Sequence, residues 1–227
     1  MKTKFCGITR LEDAELCVEH GAWALGMIFV PSSPRKAKQL EAARIAAAFR
    51  RKVELVGVFV NAPLDQIART VDNVGLTMVQ LHGDEGPSFA SEVARRTGAK
   101  VIKAARVKTR ADVVALEPFH TDFHLFDGQG GTTFEWALTR HRRTETPLIA
   151  AGGLTHENVA DAIRAIEPYA VDVASGIEAS PGIKDPDKVA AFAAAVRSAA
   201  EPLPPAPPRA PEPAPFVPKP RTTEVPR

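Results

Sequence analysis

Apolar residues in this chain fall into short unbroken runs, separated by segments of helical periodicity. The runs read TKFCGI, WALGMIFV, ELVGVFV, MVQLH, KVIKAARV, FHLFD, PLIAAGG and AVDVASG. Continuous rather than alternating apolar character is the pattern of parallel strands buried on both faces. Thr9 with Glu12 predicts a capping box opening a helix over LEDAELCVEHG. Thr155 predicts the cap of a helix whose Val159, Ala162, Ile163 and Ile166 follow the i, i+3, i+4, i+7 rule. Asp185 and Pro186 supply N-cap and first position for a last helix, with Val189, Phe192, Ala193 and Val196 on one face. The segment KTRADVVALEP predicts a short fifth helix.

Eight strand candidates, each followed by a helix, predict a single (β/α)8 TIM barrel of class α/β over residues 1–200. A doubly wound open sheet is the alternative, but no run is followed by G-x-G-x-x-G or a P-loop string. Residues 201–227 hold 11 of the 20 prolines and almost no large apolar side chains. Such a segment buries too little surface to offset ordering entropy, so a disordered Pro-rich tail is expected there.

Composition narrows the partners. A formal net charge of +2, with no basic block or zinc-finger spacing, argues against nucleic acid. MKTKFCGITR lacks the apolar core of a signal peptide, and no apolar run approaches the roughly 18 residues of a membrane span. Two cysteines, Cys6 and Cys17, form no disulfide framework, and a reduced cytoplasmic setting is expected. His120, His124, His141 and His156 show no metal-ligand spacing, so no metal is assigned.

In a barrel of this type, active sites lie at the C-terminal ends of the strands. Reading only those positions gives Cys6 and Gly7 after strand one, and Arg35 in the loop PSSPRK after strand two. Asn61, Gln80 and His82, Lys103 and Arg106, and Asp127 end strands three to six. Gly152 and Gly153, then Ser175 and Gly176, end the last two. Glycines in those final two loops let backbone N–H groups approach an anion closely, which predicts a phosphate site.

Asp127 follows FHLF, so its carboxyl reads either as a loop cap or as an acid whose partial burial keeps it protonated. Cys6 reads either as a small core residue or as a thiolate base, if positive charge lowers its pKa. Cys17 lies within the first helix and reads as core. Arg35, fixed between Pro34 and Lys36, reads as a solvated charge or as a planar fork for a carboxylate or phosphate. His82 reads as a hydrogen-bonded residue of the barrel mouth or as a ligand contact. Lys103 and Arg106 read as solvated rim charges.

The strings KFCGIT, SPR, VQLHGDE, FDGQGGTTFEW, AGGL and VDVASGIEASPGIKD together resemble the phosphoribosylanthranilate isomerase family of tryptophan biosynthesis. The resemblance runs in order from about residue 3 to residue 198, nearly the whole barrel. It implies a cofactor-free Amadori rearrangement of N-(5-phosphoribosyl)anthranilate to 1-(2-carboxyphenylamino)-1-deoxyribulose 5-phosphate. By motif match it implies Asp127 as general acid, Cys6 as general base, Arg35 at the anthranilate end, and Gly152, Gly153, Ser175 and Gly176 around the phosphate. His82 joins them as a substrate contact, and a monomer or homodimer is expected. The segment after Asp127 departs from the family pattern, with Thr133 directly before Phe134 and Glu135 before Trp136, and Ala174 stands where a small polar residue is common. A related sugar-phosphate epimerase, or a non-catalytic barrel displaying its proline tail, are the competing readings.

Overall fold

A computed structural model describes residues 1–128 and 131–200. The Pro-rich segment, and Gln129 and Gly130, lie outside the described residues. Eight parallel strands close into a barrel in sequence order: β1 (Lys2–Cys6), β2 (Ala24–Ile28), β3 (Glu54–Phe59), β4 (Met78–Leu81), β5 (Lys100–Arg106), β6 (Phe123–Asp127), β7 (Leu148–Ala150) and β8 (Ala170–Val173). The TIM barrel expected from the apolar runs is therefore the fold, and the open sheet is not. A small antiparallel hairpin follows, β9 (Glu178–Ser180) with β10 (Ile183–Lys184).

The continuous apolar runs serve two cores at once. Inward residues Ala24, Val56, Met78, Ile102, Ala104, Phe123, Leu125, Ile149 and Ala170 fill the barrel. Outward residues such as Phe5, Leu25, Leu55, Val79, Val101 and Phe126 pack beneath the helices. Alternate side chains of a strand point to opposite faces, which is why both faces had to be apolar.

The helices are α1 (Leu11–Glu19), α2 (Gln39–Phe49), α3 (Leu64–Val74), α4 (Pro87–Thr97), α5 (Arg110–Val114), α6 (Val159–Ile166) and α7 (Pro186–Ala200). Val189, Phe192, Ala193 and Val196 are buried on α7, and Asp185 Oδ1 accepts from the N–H groups of Asp187 and Lys188, as the capping reading required. Val159, Ala162 and Ile163 are buried on α6. Thr155 is not its cap, contrary to the sequence reading: Asn158 takes that position without a side-chain cap bond, and the Thr155 carbonyl accepts from the Val159 N–H. Helix α5 is short, with a capping box between Thr109 and Asp112.

Two further expectations fail. The Thr9–Glu12 capping box does not form: Thr9 Oγ1 instead donates to the Gly182 carbonyl, and the Leu11 N–H is met by Glu41 of α2. Among the described residues no α-helix lies between β6 and β7 either; a 3-10 segment, Trp136–His141, takes its place. The chain from Arg142 to Pro147 is drawn into local bonds, with Arg142 donating to the Thr146 carbonyl and Thr144 pairing with Thr146. Little chain is left there for another turn.

Candidate active site

Eight of the residues singled out from the strand ends, those given acid, base or substrate-binding roles, line one cavity at the C-terminal mouth of the barrel, whereas Gly7, Asn61, Lys103 and Arg106 do not. Cys6, Arg35, His82, Asp127, Gly152, Gly153, Ser175 and Gly176 surround it, together with Gln80 and Asp172. The parallel register accounts for this. Strand ends of one ring meet at one rim, so residues scattered over more than 170 positions converge.

Cys6 is the last residue of β1 and only 7% exposed. Gly26 of β2 is its register partner, and a Cβ there would stand 2.7 Å from the Cys6 sulfur. Burial pushes the Cys6 thiol up, as does the nearby Asp172 carboxylate, while Lys4 and Lys184 pull it back. The net direction is upward. Cys17, by contrast, sits fully buried in α1, and burial pushes it up to about 12, as suits a core thiol.

Asp127 caps the inner face of β6 across the mouth. His82 Nε2 lies 3.3 Å from its Oδ2, and Gln80 Nε2 lies 2.9 Å from His82 Nδ1. The amide nitrogen is a donor only, so Nδ1 accepts from Gln80 and Nε2 carries the proton towards Asp127. His82 thus takes the hydrogen-bonded barrel-mouth role while still facing the cavity. Gly152 has φ of +87°, and a Cβ on it would collide with the Gly128 nitrogen at 2.0 Å and Asp127 Oδ1 at 2.7 Å. Only glycine lets the loop after β7 pass that close to the carboxyl group.

Arg35 does not hang free. Its guanidinium grips Glu178 of β9 through Nε at 2.9 Å and Nη2 at 2.7 Å, and Glu178 also receives the Gly182 N–H and the Lys184 ammonium. These donors hold the Glu178 carboxyl below the usual carboxylate range against the opposing effect of burial. Lys184 in turn donates to the carbonyls of Cys6 and Ala174, at 2.6 and 3.2 Å.

Lys103 corrects the rim reading. It is 4% exposed and donates to the Gly83 carbonyl at 2.6 Å and to Glu85 at 3.0 Å, so it is a buried tie. Four further residues escaped the strand-end reading: Lys4 and Asp172, joined at 2.8 Å inside the barrel, and Glu178 and Lys184. Lys4 shares a strand face with Cys6 two positions on, which was a usable signal. Its carboxylate partner, 168 residues away, gave none.

Residues 3–195 match the family model described as N-(5'-phosphoribosyl)anthranilate (PRA) isomerase. A relative of that name from Citrifermentans bemidjiense is 45% identical over 195 residues, covering 83% of this chain and 93% of the relative. The chain belongs to the phosphoribosylanthranilate isomerase family. A solved structure concerning the dimeric isomerase from Thermotoga maritima superposes with a TM-score of 0.78 at 38% identity, over 87% of this chain and 99% of that one. A phosphoribosylanthranilate isomerase solved in complex with reduced 1-(o-carboxyphenylamino)-1-deoxyribulose 5-phosphate matches with the same TM-score, identity and coverage. The isomerase of this chain therefore converts N-(5'-phosphoribosyl)anthranilate to the aminoketose phosphate in tryptophan biosynthesis. Its substrate is a small phosphorylated molecule, and the epimerase and scaffold readings fall away. Among the described residues no helix is long and apolar enough to cross a membrane.

Proposed function

We propose that this isomerase runs its reaction with Asp127 as general acid and Cys6 as general base. The observation that carries the reading is their shared cavity: a carboxyl on β6 and a thiol on β1 face the same space, above the glycine loops after β7 and β8. Asp127 protonates the furanose ring oxygen, and the ring opens to a protonated Schiff base. The Cys6 thiolate then removes the C2′ proton, giving the enolamine. Adding a proton at C1′ and taking one from the 2′-hydroxyl completes the ketone and resets the two groups.

The acid must start protonated and the base ionised, so their surroundings must treat them differently. Gly152, Gly153, Ser175 and Gly176 present backbone to the 5′-phosphate, and His82 and Arg35 face the anthranilate and sugar portions. Arg35 held by Glu178 arrives at that task already oriented, with one edge of its fork in use. The catalytic unit is residues 1–200. It works as a monomer or homodimer, and the description of a Thermotoga maritima relative as dimeric supports the latter. It works in the cytoplasm, since a thiolate base requires Cys6 to stay reduced.

The test follows phosphoribosylanthranilate consumption by loss of anthranilate-type fluorescence. Cys6→Ser and Asp127→Asn should each lower kcat by at least about 100-fold. In the wild type kcat/KM should rise with pH through a limb above the ordinary thiol value of about 8.5, because burial raises this thiol and the base works only when ionised. Near wild-type turnover in either variant would defeat the assignment.

A further inference from the structure

Beneath Cys6, inside the barrel, lies an ion pair that the acid and base roles leave unused. Lys4 and Cys6 are two residues apart on β1 and so point to the same interior face. Lys4 stands in register with Asp172 of β8, and its Nζ lies 2.8 Å from Asp172 Oδ2, with the two side chains 0% and 8% exposed. Lys4 opposes the rise of the Cys6 thiol, by its charge and as a donor. Among the described residues Asp172 Oδ1 has no hydrogen-bond partner, and Asp172 lines the cavity.

We propose that Lys4 and Asp172 are positioning residues that meter the charge on Cys6: Lys4 is the counter-cation of its thiolate, and Asp172 fixes Lys4 and offsets part of its charge. The proposal rests on Cys6 being the base, but it concerns the sulfur's ionisation and is measured there. Charge counting gives its sense. With Lys4 cationic and Asp172 anionic, the buried trio is neutral as a thiol and carries −1 as a thiolate. Without Asp172 it starts at +1, and ionisation of the thiol brings it to zero. Without Lys4 it starts at −1, and ionisation takes it to −2.

The other charged groups facing Cys6 are accounted for. Lys184 of β10 binds the Cys6 carbonyl, and both it and Arg35, from the loop after β2, are tied to Glu178. Asp127 of β6 is met by His82 across the cavity, and β2 presents only Gly26. Burial raises the thiol, and Lys4 is the foremost group opposing that rise.

The decisive measurement titrates Cys6 in Lys4→Met and Asp172→Asn, by thiolate ultraviolet absorbance against a Cys6→Ser blank and by the pH dependence of iodoacetamide alkylation. At a fixed pH well below the wild-type midpoint, Lys4→Met should hold about tenfold less thiolate than wild type and Asp172→Asn about tenfold more. The rising limb of kcat/KM should move in the same two opposite directions. Lys4→Arg, which keeps the charge, should restore most of the wild-type profile. A merely structural pair would move both variants the same way or neither, and either result overturns the proposal. Should Lys4→Met fail to fold, Asp172→Asn keeps the side-chain shape and decides alone: an unmoved or upward titration defeats the proposal. Full activity in Cys6→Ser, with the thiol shifts still present in the other variants, would remove the base assignment and leave the charge relation standing.

Discussion

The Lys103–Glu85 and Lys4–Asp172 pairs are both buried at the barrel strands, with N–O separations of 3.0 and 2.8 Å. They differ in what surrounds the carboxylate. Glu85 Oε1 receives the Asn61 N–H at 2.7 Å, and its Oε2 receives the Gly83 N–H at 2.9 Å as well as Lys103. Lys103 also donates to the Gly83 carbonyl, so that cluster closes the loops after β3 and β4 around a saturated core. Among the described residues Asp172 leaves Oδ1 unmet beside the cavity, and Lys4 shares its strand face with the Cys6 thiol instead of closing a loop. The saturated pair is scaffold. The unsaturated one keeps electrostatic reach towards the Cys6 thiol.

The sharpest way to break that contrast is to remove the cation from each pair. Lys103→Met should destabilise the fold by about 3–5 kcal/mol, since it leaves a buried carboxylate short of its counter-charge. Chemical denaturation measures that loss, and the Cys6 titration should stay where it was. A shifted Cys6 titration in this variant would erase the distinction between the pairs.

A smaller effect is expected where the two kinds of cluster overlap, at Glu178. Glu178→Gln loosens the bidentate grip on Arg35 and should raise KM about tenfold, equivalent to about 1.4 kcal/mol, with kcat less affected. The same carboxyl gives a pH signature. Its pKa is lowered on folding, so its stabilisation is complete well above about 4.3 and drains away as pH falls through its lowered folded value. Thermal melting of Glu178→Gln should therefore depend less on acid than that of the wild type. Equal acid sensitivity in both would show that the Arg35–Glu178–Lys184 linkage adds nothing to folding.

The smallest effect belongs to the opposite end of the barrel. There Lys2 bonds the Tyr169 hydroxyl and lies over the Trp23 and Tyr169 rings, well away from the cavity. Tyr169→Phe should cost less than about 1 kcal/mol, in the range of exposed polar contacts, and leave kcat and KM unchanged. A kinetic defect there would mean that the two ends of the barrel communicate.

Which features could be read from the chain follows from how local their causes are. The strands were legible because KFC, ELVGVF and FHLFD carry their burial in consecutive residues. Cys6 and Asp127 were legible because each interrupts an apolar run at its end, and a closed ring sends all such ends to one rim. Thr9 misled because the partner that meets the first free N–H of α1 is Glu41, 30 residues on, and no cap rule contains it. Lys103 misled for a similar reason: a lysine at a strand end looks solvated until Glu85 is folded over it. The Lys4–Asp172 pair depends on β1 and β8 lying side by side, which only closure of the ring creates.

Lys184 carries a consequence for how the enzyme comes into being. Its ammonium joins the Cys6 carbonyl to the Ala174 carbonyl, stitching the end of β1 to the end of β8, from a position 178 residues beyond Cys6. Contacts of such long range come at a high loop-closure cost and are slow to form. A chain still emerging from the ribosome holds Cys6 from the outset, yet Lys184, which ties the Cys6 carbonyl, is made only 178 residues later. Activity in this protein is therefore a report that the circle has been joined.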